Sequence, residues 1–257
     1  PRILKYIIDN KGRPVSYESG KTGVVAKDIH LTIDKDLQAI AEKAIKDQVE
    51  EFEAVRAGIG VIDTSTGEIL AIANYPTFDP NEVKKSKAEN RKLSFVSDPF
   101  EPGSTFKTFT VASALEHKIA RPDTNYFCEQ GRLKVEDHII SEADSNKKHE
   151  WLSMEEILRY SSNVGTTKIA FDLTYPKLKT TIDLFGIGKK TGIEIPGESR
   201  GIFTNEKNVS PLSLSNISFG QGVATTGIQM LAAYAAIVND GVYIPPTMIK
   251  NSKRERL

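Results

Sequence analysis

Apolar positions along this chain change period several times, and the changes divide it into elements. Ile29-His30-Leu31-Thr32-Ile33 alternates and is β-branched, which predicts a strand, and Asp34 stands where a helix N-cap belongs. Leu37, Ile40, Ala41, Ala44, Ile45, Val49 and Phe52 then follow at helical spacing and predict one apolar stripe on a charged helix. Residues 57–63 and 68–74 are two apolar runs around Thr64-Ser65-Thr66-Gly67, the pattern of an antiparallel hairpin.

Residues 75–100 carry Lys84, Lys85, Lys87, Arg91 and Lys92 and read as a solvated loop without a role. A helix starts after the Pro102-Gly103 turn, and residues 128–148 are polar and irregular, with short strands near 131–135 and 138–140 that could wall a cleft. Ser153 and Glu156 form a capping box, with Leu152 and Ile157 as its hydrophobic staple. That helix runs into Tyr160-Ser161-Ser162-Asn163, and another resumes through Ile169, Ala170 and Leu173. A last helix has Thr225 or Thr226 as cap, Ile228, Leu231, Tyr234, Ala235 and Val238 on its apolar side, and Asp240-Gly241 as its close. The expected fold class is α+β, an antiparallel sheet flanked by helices, with residues 1–28 the tail of a preceding module or linker and 29–257 one domain.

Composition narrows the functions. The 257 residues suffice for one large core or two modest ones, and 34 basic against 34 acidic side chains give no field to draw nucleic acid or an acidic membrane. One cysteine, Cys128, excludes an internal disulfide, and four scattered histidines leave no metal-ligand cluster, so no metal and no cofactor is expected. No window reaches the roughly 18 apolar residues of a membrane span, and no leader precedes a cleavage site; a start at Pro1 reads as a piece of a longer protein. Gly20-Lys21-Thr22 is not a phosphate loop, because Val15 stands where its first glycine belongs.

The candidate chemistry is Ser104 and Lys107, three apart at a helix start and so on one face. A serine hydroxyl needs a neighbouring base, and a lysine can serve if burial lowers its pKa; Phe106 and Phe109 would supply the apolar surroundings. Alone, S-x-x-K occurs by chance on many solvated helices. At the later helix junction, Ser161 could relay a proton and Asn163 orient a substrate amide, or both could be punctuation.

Taken together, Ser104-x-x-Lys107, Ser161-Ser162-Asn163 and their flanks resemble the class B penicillin-binding proteins, serine transpeptidases of the cell-division type. The flanks are Asp98-Pro99-Phe100-Glu101-Pro102-Gly103, Tyr160 with Val164-Gly165, Phe185-Gly186-Ile187-Gly188 with Ile195-Pro196-Gly197-Glu198, and Ser218-Phe219-Gly220-Gln221-Gly222. The likeness runs from about residue 29 to 246. It implies the penicillin-binding and β-lactamase-like fold with a helical subdomain, and a D,D-transpeptidase that cross-links peptidoglycan stem peptides. In that reading Ser104 attacks the carbonyl between two terminal D-alanines, Lys107 accepts its proton, Ser161 passes a proton to the departing amine and Asn163 holds the substrate amide. β-Lactams would acylate the same serine. Other cell-wall synthesis proteins would be partners, and the location would be the outer face of the bacterial inner membrane, reached through an anchor not in these residues.

The family's third motif, Lys-Thr-Gly, lies on a downstream strand. Two such triplets occur here and both read as decoys: Lys21-Thr22-Gly23 precedes the nucleophile, and Lys190-Thr191-Gly192 sits in a glycine- and proline-framed turn. The domain is therefore expected to be incomplete at its C-terminal end, which makes turnover by this chain alone doubtful. A β-lactam sensor or serine β-lactamase on the same fold, and a noncatalytic cell-wall assembly fragment, are the competing readings.

Overall fold

The computed structural model describes residues 5–18, 28–146, 148–204 and 209–251. Two compact units are present, Pro1–Leu31 and Thr32–Leu257. The described part of the first holds a hairpin of β1 (Lys5–Ile8) and β2 (Pro14–Glu18), whose turn is closed by the Asp9 carboxylate accepting from the amides of Lys11 and Arg13. The triplet Lys21-Thr22-Gly23 lies outside the described residues.

The second unit starts with Asp34, whose carboxylate accepts from the amides of Asp36 and Leu37 at 2.9 and 3.0 Å and caps α1 (Lys35–Glu51). The buried stripe of α1 is narrower than its apolar pattern: Ala41, Ile45 and Val49 are covered, while Ile40 and Phe52 are 65% and 70% exposed. The helix rests on small residues, Ala71 and Ala73, so only one i, i+4 row comes into contact. The strand expected over 29–33 reduces to a single bridge position at Leu31. Thr32 and Asp34 donate their amides to different segments, to the carbonyls of Met248 and Leu70, so no continuous ladder forms. Thr32 is the buried member, its hydroxyl donating to the Ile69 carbonyl at 2.6 Å.

β3 (Ala57–Ile62) and β4 (Ile69–Tyr75) form the antiparallel hairpin. One side packs on α1; the other meets Val96 of α2 (Ser94–Ser97) and Ile228 across Ile69 and Ile72. The charged stretch before α2 forms two short 3₁₀ turns, Pro80–Lys85 and Ala88–Arg91.

The remaining elements build a helical subdomain around α3 (Lys107–Glu116). β5 (Asn125–Phe127), β6 (Arg132–Val135), β7 (His138–Ser141) and β8 (Trp151–Ser153) pair as two small antiparallel ladders, β5 with β8 and β6 with β7. Then come α4 (Met154–Tyr160), α5 (Asn163–Leu173), α6 (Tyr175–Leu184), α7 (Pro211–Ser218) and α8 (Gly227–Val238). The capping box of Ser153 and Glu156 opens α4, and Thr226 with Gln229 makes a second one at α8. Val238 lies outside the core, 69% exposed.

Phe106 and Phe109, both fully buried, pack with Ala170 and Leu173 of α5, Leu178 and Ile182 of α6, Leu214 and Ile217 of α7 and Ala233 of α8. Burial of each phenylalanine is worth about 1.5–3 kcal/mol. The polar residues on α3 are satisfied inside the same core: Thr110 donates to the Ser218 carbonyl at 2.7 Å and Ser113 to the Thr181 hydroxyl at 3.0 Å. The architecture is α+β, with helices against an open antiparallel hairpin, and α3 runs through its centre.

Candidate active site

Ser104 and Lys107 belong to two consecutive helical pieces. Ser104 lies in a 3₁₀ turn, Gly103–Phe106, and Lys107 is the first residue of α3, its amide donating back to the Ser104 carbonyl. In a 3₁₀ turn residues i and i+3 eclipse, so the two side chains rise from one edge of the turn. Ser104 is exposed while Lys107 is 1% exposed. The Lys107 Nζ lies 2.6 Å from the Ser161 carbonyl oxygen and 3.0 Å from the Ser161 hydroxyl, donating to both. A buried amine is thus tied to the residue that closes α4.

That junction is shaped by an unusual backbone. Ser161 is left-handed, φ 57 and ψ 45, and ends α4 with its amide turned back to the Leu158 carbonyl. Ser162 caps α5, its hydroxyl accepting from the Gly165 amide at 2.9 Å. Glu142, 8% exposed and immediately after β7, takes the Ser162 hydroxyl on one carboxylate oxygen and the Asn163 amide on the other, both at 2.6 Å. The preceding residue adds a third tie, since the Asn163 side-chain amide donates to the Ser141 carbonyl at 2.8 Å. Gly165 permits α4 and α5 to approach: a Cβ there would lie 2.4 Å from Ile157 Cγ1.

The turn that carries Ser104 is held from the other side by residues 218–225. Phe100 and Thr225 exchange both backbone hydrogen bonds, at 2.8 and 2.9 Å, and the Gly103 amide donates to the Gly220 carbonyl at 3.1 Å. Glu101 accepts from the Gly222 amide at 2.8 Å, and Tyr234 of α8 donates to the Thr105 carbonyl at 2.7 Å. Gly220 is left-handed, φ 82, and its missing Cβ is what lets the two backbones approach, since that atom would lie 2.2 Å from the Gly103 carbonyl oxygen. An exposed hydroxyl on a braced turn, a buried amine one turn later and a serine–asparagine junction bound to that amine are the kinds of group that acyl transfer uses, which makes this the candidate active site.

Residues 57–256 match the family described as the penicillin-binding protein transpeptidase domain. The chain belongs to this family. Its relatives include the peptidoglycan D,D-transpeptidase FtsI of Buchnera aphidicola, 33% identical over 94% of this chain and 42% of that protein, and FtsI of Escherichia coli, 30% identical over 94% and 40%. PenA of Neisseria gonorrhoeae, named a probable peptidoglycan D,D-transpeptidase, is 32% identical over 88% of this chain and 38% of its own length. Among solved structures, the transpeptidase domain of Burkholderia pseudomallei penicillin-binding protein 3 superposes with a TM-score of 0.77 at 29% identity, over 90% of this chain and 64% of that one. Penicillin-binding protein 3 of Mycobacterium tuberculosis, complexed with aztreonam, gives 0.79 at 28% over 97% and 60%. The chain spans about two-fifths of the length of these curated relatives. The likeness to class B penicillin-binding proteins is thereby borne out at the level of the family.

Within this transpeptidase domain the structure brings Lys107 to Ser161 and sets Asn163 on the same junction, with Ser104 one turn before Lys107. The Lys190-Thr191-Gly192 triplet follows α6 in a tight turn: the buried Glu198 carboxylate accepts from the Thr191 amide, the Thr191 hydroxyl and the Gly192 amide. A surface hollow of about 570 Å³ lined by Arg56, Phe78, Glu82 and Asn90 includes none of the four candidate residues. Among the described residues no cluster of metal-ligating side chains occurs, and no helix is long and apolar enough to cross a membrane. Cys128 is fully buried, its sulfur 4.0 Å from the Ser162 hydroxyl, and burial pushes its thiol pKa up, which makes it packing rather than a nucleophile. The residue that sequence reading missed is Glu142. It follows buried Ile140 by two positions, and so falls in the inward phase of β7; an acid in that phase was the available signal.

Proposed function

We propose that this chain is the transpeptidase domain of a class B penicillin-binding protein that joins peptidoglycan stem peptides through an acyl-enzyme on Ser104. The observation that carries the reading is the buried Lys107 amine, bonded to Ser161 and one 3₁₀ turn from an exposed serine.

The steps follow from those positions. Lys107, as the free amine, takes the proton of Ser104 as its Oγ attacks the carbonyl between two D-alanines, and the tetrahedral oxyanion forms. The C–N bond then breaks: Ser161 gives its proton to the leaving D-alanine amine and regains one from Lys107. An ester on Ser104 remains. An amine from a second stem peptide attacks it, its proton passes back through Ser161 and Lys107, and Ser104 leaves as the hydroxyl, with one amide exchanged for another. Asn163, fixed by Ser141 and Glu142, orients the substrate amide. A β-lactam meets the same nucleophile but keeps its leaving group tethered, so the acyl-enzyme persists. The relatives named FtsI support a role in division; in the same reading the protein works at the outer face of the inner membrane beside other wall-synthesis proteins.

Intact-protein mass spectrometry after incubation with a penicillin tests the reading. The expected result is one adduct, lost in Ser104→Ala and slow to hydrolyse. Rapid loss of the adduct would favour a β-lactamase; with no adduct on folded protein the measurement is repeated on the chain extended past Leu257, and absence of an adduct there would defeat Ser104 as nucleophile.

A further inference from the structure

We infer that Glu142 is a positioning residue for acylation: by holding the Ser162 hydroxyl and the Asn163 amide it fixes the left-handed turn at Ser161 that aims two oxygens at Lys107. This rests on the proposed role of Ser104 and Lys107.

The geometry makes the carboxylate hard to replace. Its two oxygens accept from consecutive residues, one through a side chain and one through the backbone, each at 2.6 Å, which sets the orientation of the Ser162–Asn163 peptide as well as its distance. Ser161 is joined to that peptide through Ser162, one peptide unit earlier. A non-glycine residue stays left-handed only when its surroundings impose the conformation. Were Ser161 to relax to the right-handed region, α4 would continue and the carbonyl that accepts from Lys107 would turn along the helix axis. The amine would then lose an acceptor at 2.6 Å and another at 3.0 Å. Glu142 acts through the turn, by its contacts to Ser162 and Asn163.

A purely structural part would look similar in a static picture, because Asn163 is the first residue of α5 and its amide needs an acceptor in any case. Kinetics separate the two. Glutamine has the same length, but only its oxygen can accept. If that oxygen keeps the Asn163 amide, its NH₂ faces the Ser162 oxygen, and the Ser162 proton is left with the Cys128 sulfur at 4.0 Å, a weak acceptor. Aspartate keeps the charge but falls one methylene short of both donors.

The experiment measures acylation of the purified protein by a fluorescent penicillin over a range of concentrations, which separates the binding constant from the maximal acylation rate, with thermal melts to count folded molecules. For Glu142→Gln, the maximal rate per folded molecule should fall on the order of 10- to 100-fold, with the binding constant unchanged, since a displacement near 1 Å costs up to about a hundredfold. Glu142→Asp should retain more of the rate than Glu142→Ala. A folded Glu142→Gln protein that loses melting temperature but is acylated at the parent rate overturns the inference. Should Glu142→Gln not fold, Glu142→Asp is read by the same criterion. Failure of the parent protein, extended past Leu257, to acylate at Ser104 is a separate result: it removes the active-site reading and this inference with it.

Discussion

Replacing Gly220 by alanine tests whether the Ser104 turn is held by backbone contact. Two costs add. A left-handed alanine at φ 82 costs about 1–2 kcal/mol, and the new methyl would lie 2.2 Å from the Gly103 carbonyl oxygen and 2.8 Å from the Gly103 nitrogen. Those are main-chain atoms, so no rotamer relieves the overlap, and overpacking of this kind costs typically about 1–3 kcal/mol. The total expected is therefore about 2–5 kcal/mol. Relief to an ordinary contact of 3.4 Å requires the two segments to part by about 1 Å, and what moves is the residue next to Ser104. Gly222→Ala is the control: it is also left-handed, φ 70, and sits in the same loop, but nothing lies within 4 Å of its absent Cβ, so it should lose only the conformational part. Urea unfolding followed by circular dichroism gives the stabilities, and penicillin acylation per folded molecule gives the displacement, expected to slow acylation on the order of 100-fold in Gly220→Ala. Equal effects of the two alanines, or a Gly220→Ala protein that acylates normally, would refute the argument that this contact positions the nucleophile.

Three further substitutions probe other parts of the reasoning. Gly165→Ala gains about 1 kcal/mol of helix propensity but presses on Ile157 Cγ1 at 2.4 Å, and overpacking of about 1–3 kcal/mol wins, so it should lower the urea midpoint. In an Ile157→Ala background the same change should turn favourable; stabilisation by Gly165→Ala alone would show that α4 and α5 are less closely packed than described. Glu198→Gln leaves a donor of the Thr191-Gly192 turn unpaired and should cost about 1–3 kcal/mol while leaving acylation of folded protein intact. Abolished acylation in that variant would make the turn part of the active site. The Asp63 carboxyl is held below its usual value of 3.8 by the Ser65 hydroxyl and by the amides of Ser65 and Thr66. Its contribution to stability is present above the unfolded value and is lost as pH falls through the lower folded one. Carbon-13 titration should show Ser65→Ala moving Asp63 upward, and no movement would exclude the hydroxyl as the cause.

Local signals carried far in this chain because short-range physics sets the elements they announce. Asp34, Ser153 with Glu156, and Thr226 each satisfy amides within three residues, so a cap read from the sequence is a cap in the fold. The hairpin of β3 and β4 was legible for the same reason. Ile29–Ile33 was not a strand, because alternation describes a face and says nothing of whether a partner runs alongside. Phe52 and Ile40 stayed in water because the width of a buried stripe depends on what lies opposite, here two alanines. Ser104, Lys107, Ser161 and Asn163 are candidates through motif and resemblance, and the structure places Lys107 on Ser161. Glu142 was not, since its meaning is a meeting of β7 with the α4–α5 junction, and nothing local in residues 138–142 announces the partner.

Of the oxygens that accept a hydrogen bond from the Lys107 amine, one belongs to the main chain of residue 161. Mutation exchanges side chains and leaves the carbonyl in place, so Ser161→Ala removes the hydroxyl contact and preserves the other. Substitution therefore cannot delete this acceptor by changing the residue that owns it. It can only re-aim it, through the neighbours that decide how the peptide at 161 is turned. Variation that tunes this lysine should accordingly collect beside the serine motif, in the strand end and helix start that bend it, and be inherited as changes of angle.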